Sequence, residues 1–102
     1  MRTPIERLEE KLFKENLWLF LMMLLSEKKR KRSDLRELVH KRFGFMPGEM
    51  TSYKVLFLLE QGGYVKRDVE KYYYPAPAGV KQLNKGKKLL ERAFKMLGQR
   101  KA

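Results

Sequence analysis

The sequence has no cysteine, one histidine and one tryptophan. Without thiols, disulfides and cysteine-built metal sites are excluded. The single histidine, His40, lies in a basic segment with no designated acid or serine partner. No glycine-rich phosphate loop, paired carboxylates or metal-ligand spacing occurs elsewhere. Neither catalysis nor a cofactor is expected. Long apolar runs are also scarce. The longest, Leu17–Leu25, has nine residues, against the roughly 20 that a membrane-spanning helix requires. Glu6, Glu9, Glu10 and Glu15 precede it, which is wrong for a secretory leader and points to a cytoplasmic protein. Acidic residues are scarce too: 12 stand against 24 Lys and Arg, giving a net charge of +12. Such an excess repels itself unless a polyanion is the partner. Nucleic acid is the commonest candidate, ahead of an anionic membrane or an acidic protein. The plainer alternative is a solvated basic surface. A cysteine-free chain with 35% charged residues fits an intracellular protein and a thermophilic source. At 102 residues it is one domain, large enough to bury a core.

The stretch that organises the chain is residues 49–65. Thr51 or Ser52 can cap a helix there, because a hydroxyl accepts from backbone N–H groups that lack an intrahelical partner. Tyr53, Leu56 and Leu59 follow at helical spacing and form a stripe to be buried. Gly62 and Gly63 end the helix, and Tyr64-Val65 begins a strand.

Before this stretch, Thr3-Pro4-Ile5-Glu6 is a helix start with a capping box and proline in the first turn. No breaker follows until Glu27, so the chain predicts about 36 Å of helix if continuous, with Asn16 as a point of interruption. In its mostly charged first half Ile5, Leu8 and Leu12 make a narrow stripe; its second half is apolar all round and suits burial on every side. The first half reads as an arm for a second subunit, or as an amphipathic helix lying on its own domain. Lys28–Arg32 are five consecutive bases, a solvated link or a very short strand. Ser33 is expected to cap the next helix, with Leu35, Leu38 and Val39 buried and Gly44 at its end. Phe43 and Phe45 are expected to pin the turn through Pro47 and Gly48.

Beyond Val65, residues 66–74 read as a hairpin, closed by Pro75 and Pro77. Its turn, Asp68-Val69-Glu70, lacks the usual glycine or asparagine. Tyr72 and Tyr74 share one face and Tyr73 the other, so at least one face faces the core. A last helix covers residues 78–97. Val80, Leu83, Leu90, Phe94 and Leu97 form a heptad-like seam, interrupted by Lys87 and weakened by Gly86. The seam suits dimerisation, or packing back on its own domain.

Tyr53-Lys-Val-Leu56-Phe-Leu-Leu59-Glu60-Gln-Gly-Gly63-Tyr-Val65 and Tyr73-Tyr-Pro-Ala-Pro-Ala-Gly79-Val-Lys-Gln-Leu83 resemble the PadR family of transcriptional regulators. The likeness covers about half the chain. Related small archaeal winged-helix proteins share much of it. Pro75 and Ala76 stand where the family has leucine and threonine, so the hydroxyl cap of the last helix is missing. The resemblance implies a homodimeric DNA-binding repressor that dimerises through its terminal helices.

The expected architecture is thus mainly α (α+β): a winged helix–turn–helix with long N- and C-terminal helices for dimerisation. Residues 1–15 form the arm, 16–77 the DNA-binding domain and 78–102 the dimerisation helix. Ile5, Leu8, Leu12, Leu83, Leu90, Phe94 and Leu97 are the dimer candidates. The recognition helix, about 50–61, would enter the major groove of double-stranded DNA by its N-terminal half, with Thr51, Ser52 and Lys54 as readers. Simple capping is the alternative for Thr51 and Ser52, and core packing for Tyr53. Phe57 lies off the stripe and is expected to pack on the last helix. Lys31, Arg32 and Arg36, with Lys66, Arg67 and Lys71 on the wing, would hold phosphates or the minor groove. A sequence-specific regulator leads. A low-specificity architectural protein and a winged helix for RNA or protein assembly are the competing readings.

Overall fold

The computed structural model describes residues 2–98; Met1 and residues 99–102, for which fraying is expected, lie outside the described residues. Helix α1 (Pro4–Glu9) opens as its sequence dictates. The Thr3 hydroxyl accepts from the Glu6 N–H at 3.2 Å and donates to the Glu6 carboxylate at 3.1 Å. The helix does not continue unbroken to Glu27. Glu10–Lys14 widen into a π turn, and Asn16 leaves helical geometry at φ −120°, ψ 32°. Its side-chain amide donates to the Lys11 carbonyl at 2.7 Å, satisfying a backbone oxygen beside the interruption. Phe13, within the π turn, stacks on Phe20 and Phe45 at 5.6 and 5.1 Å.

Helix α2 (Leu17–Glu27) is the centre of the molecule. Five of the nine largest fully buried side chains lie on it: Leu17, Leu21, Met22, Leu24 and Leu25. Each contributes about 1.5–3 kcal/mol by leaving water. Leu35 and Val39 of α3 (Arg32–Phe43), Leu56 of α4 (Glu49–Gln61) and Leu83 of α5 (Pro77–Gly98) close around it. Glu27, at the end of α2, takes a two-pronged ion pair from Arg42 of α3 at 2.7 and 2.8 Å. Phe20 holds the α3–α4 turn through Phe43 and Phe45, at 5.0 and 5.3 Å.

Two caps differ from expectation. Arg30–Lys31 form strand β1, and α3 begins at once with Arg32, so the extended residue before the helix is Lys31 and Ser33 lies inside the first turn. Helix α4 begins at Glu49 after Gly48, which puts Thr51 and Ser52 within the helix. Neither helix has a side-chain cap. Gly44 and Gly63, where α3 and the α4 turn end, are left-handed at φ 82° and 80°.

Strands β2 (Val65–Arg67) and β3 (Tyr72–Pro75) form the hairpin, and β1 pairs on the other side of β3, giving the antiparallel order β1-β3-β2. Arg30 opposes Tyr73 and Lys31 opposes Tyr72. Tyr73 faces the core and Tyr74 is exposed, as strand alternation requires. After the hairpin, the Ala76 N–H donates to the Tyr64 carbonyl at 2.9 Å, and Pro77 starts α5 without a hydroxyl cap. A Cβ on Gly79 would lie 2.0 Å from the Tyr64 oxygen, so only glycine lets α5 start this close to the hairpin. The helix order, the turn between α3 and α4 and the three-stranded sheet define a winged helix–turn–helix, mainly α with a small sheet.

The wing turn solves its missing glycine with a carboxylate. Asp68 Oδ1 accepts from the N–H groups of Glu70 and Tyr72 at 2.9 and 3.0 Å, and Lys71 takes the left-handed conformation at φ 68°. Asp68 Oδ2 accepts from Lys29 Nζ at 3.0 Å, tying the wing to the basic link. The N–H of Tyr72 and the ammonium of Lys29 hold the Asp68 carboxyl below its usual range. Because the folded pKa is lowered, the clasp is complete above the unfolded value of about 3.9 and is lost as pH falls through the folded one. Amide resonances of Glu70 and Tyr72 should therefore hold steady from neutral pH to about 4 and move together below it. Invariant resonances down to the loss of global structure would contradict this clasp.

Candidate nucleic-acid interface

The basic link and the wing lie on one side of the molecule. Lys31 and Arg32, at the β1–α3 junction, line a cleft of about 280 Å³ with Arg67 and Lys71 of the hairpin. Tyr53 of α4 and Tyr73 of β3 form its aromatic walls, and Glu70 is its one carboxylate. Local contacts hold these like charges near one another. The Arg32 guanidinium lies over the Tyr53 ring at 4.3 Å. Arg67 lies 5.7 Å from the Tyr73 ring and 3.5 Å from a Glu60 oxygen. Lys29 and Lys31 flank the Tyr72 ring at 5.1 and 5.4 Å. The negative ring faces offset part of the repulsion while leaving the cations available to an oxyanion. Tyr53, expected in the core, thus acts as a half-buried shelf for Arg32. The sequence signal for it was a tyrosine at the edge of the buried α4 stripe.

The nine DNA-contact candidates divide. Lys31, Arg32, Arg67 and Lys71 meet at the cleft. Lys66 is exposed on β2, and Thr51 and Lys54 are exposed on α4. Two do not fit the assignment. Ser52 is 4% exposed and turned into the protein, so it cannot reach a base edge. Arg36 is half-buried, and its Nε donates to the Pro47 carbonyl at 2.7 Å; it fastens the α3–α4 turn and does not line the cleft. For Ser52 the reason is helical phase: four residues before Leu56, it falls on the side of Leu56 and not on that of Lys54.

Phe57, expected to pack on the last helix, is 56% exposed, beside Leu58 at 54% and Met50 at 80%. The outer face of α4 is therefore more apolar than its polar candidates suggested. Among the dimer candidates, Leu83 is buried in this chain's own core against α2 and cannot meet a second copy, and Leu12 is half-buried. Ile5, Leu8, Leu90, Phe94 and Leu97 are exposed, the last two at 79% and 87%. His40 is exposed. Among the described residues, no helix is long and apolar enough to cross a membrane.

No family model and no curated protein matches this sequence. Among solved structures, the chain is similar to a transcriptional regulator from Clostridium thermocellum, with 17% identity over 96% of each chain and a TM-score of 0.72. At that identity the likeness establishes a shared fold across nearly the whole chain, terminal helices included.

Proposed function

We propose that this protein is a DNA-binding transcriptional regulator of PadR-like type that acts as a homodimeric repressor. The observation that carries the reading is the convergence of Lys31, Arg32, Arg67 and Lys71 on one cleft beside α4. The cleft cations and Lys66 hold backbone phosphates, while Thr51 and Lys54 on the outer face of α4 enter the major groove. The fold shared with a regulator and the resemblance in the α4 and wing segments support the same assignment.

Phosphate contacts release counterions, so affinity must fall steeply with salt. Replacing Lys31, Arg32, Arg67 or Lys71 by alanine should each lower the log–log salt slope by about 1, measured by fluorescence anisotropy on duplex DNA. A regulator should also prefer its own site over random duplex by about 10³ or more. Unchanged slopes in all four variants would refute the phosphate assignment. Equal affinity for all duplexes would favour an architectural role, and preference for structured RNA an assembly role.

The dimer rests on apolar surface that the described chain leaves uncovered. From Leu89 onward α5 exposes Leu89, Leu90, Phe94, Met96 and Leu97, and the arm exposes Ile5 and Leu8. A seam of this kind on a long terminal helix is suited to a second copy. Sedimentation equilibrium should give a dimer for the native chain and a monomer for Leu90→Glu/Phe94→Glu with helical content kept. A native monomer at tens of micromolar would remove the paired-site mechanism.

A further inference from the structure

Helix α4 contains no arginine and no asparagine; of the side chains that bond guanine or adenine edges it has Lys54 and, at its far end, Gln61. Its outward surface instead carries Met50, Phe57 and Leu58, interspersed with Thr51 and Lys54. Exposing three large apolar side chains on one helix face costs solvation, and no neighbouring element covers them here. Their position names an occupant. Tyr53, which walls the cationic cleft, lies three residues after Met50 and four before Phe57, so it adjoins both on the helix surface. The apolar strip therefore meets the cleft of Arg32, Arg67 and Lys71 across Tyr53, with Lys54 standing within it. A polyanion drawn to those cations would lie across the strip. A purely apolar protein partner would leave the same cations without counter-charge.

The one apolar group that a duplex presents in its major groove is the 5-methyl of thymine. We propose that the Met50–Phe57 face of α4 selects DNA sites by packing on thymine methyl groups, with Thr51 adding its own methyl and Lys54 supplying the long polar contact. Recognition then depends on the placement of thymines more than on guanine contacts. The inference rests on the DNA-binding reading above and adds the basis of its specificity.

Uracil pairs as thymine does and differs only by that methyl, which makes it the direct probe. Duplexes enriched by the full-length protein from a random pool are resynthesised with uracil replacing thymine at one position at a time. Binding should weaken about three- to fivefold at each contacted thymine, the loss expected for one buried methyl. The thymine-over-uracil ratio should fall towards one in Met50→Ala or Phe57→Ala, each at different positions. Equal binding of thymine and uracil forms at every position, with duplex still bound, would overturn this inference and leave DNA binding standing. Failure to bind any duplex would remove DNA binding itself, and this inference with it. If Met50→Ala or Phe57→Ala changes self-association of the free protein and not the ratio, the face is a protein interface and the inference fails.

Discussion

Two strand pairs, Arg30 with Tyr73 and Lys31 with Tyr72, bring five consecutive bases against a hairpin that carries three more. Unpaired in solution, these segments would repel one another. The sheet fixes them side by side, and the molecule meets the repulsion locally. Asp68 takes Lys29, Glu60 approaches Arg67, and the rings of Tyr53, Tyr72 and Tyr73 lie under Arg32, the link lysines and Arg67. What remains is a surface with more positive charge than its own acids neutralise. Packing of α2 makes this possible, because the burial of Leu17–Leu25 holds the three helices and the sheet at fixed positions.

Patterns that depend on local chemistry were legible in the chain. The capping box at Thr3, the all-round apolar run of α2, the two basic clusters and the alternation of the three tyrosines all describe what neighbouring residues need. The β1 strand was legible as one of two outcomes for Lys28–Arg32. Details set by tertiary contact were not. Ser33, Thr51 and Ser52 are good caps by type, yet β1 pairing and the position of Gly48 begin each helix earlier. With the helix starting before it, Ser52 stands one turn ahead of Leu56 and shares its buried side, which a capping position would not. The wing clasp was hidden in part: Asp68 bonds locally to the Glu70 and Tyr72 N–H groups, but its second oxygen meets a lysine 39 residues away in the chain.

The seam of α5 reads as one feature in sequence and as two in the structure. Leu83 belongs to the core. Gly86 permits close approach to α2, where a Cβ would come within 2.9 Å of Leu19. Past that point the helix leaves its own domain and its apolar positions are uncovered. A 22-residue helix spans about 33 Å, so its distal half reaches well beyond a single winged-helix body. The exposed apolar surfaces of α4 and of distal α5 thus differ in their electrostatic surroundings. On α4 it is bordered by cations and suits a polyanion with apolar groups. On α5 it continues along a terminal helix and suits another copy of itself.

The central claim is that the β1–α3 junction, the outer face of α4 and the wing together form one binding surface for duplex DNA. Titrating isotopically labelled protein with a short duplex and following backbone amide resonances tests it most directly. The account predicts that Lys31, Arg32, Tyr53, Lys54, Arg67 and Lys71 shift together along one binding curve, while Leu89–Leu97 stay in place. Shifts confined to the arm or to distal α5, or separate curves for the link and the wing, would contradict it.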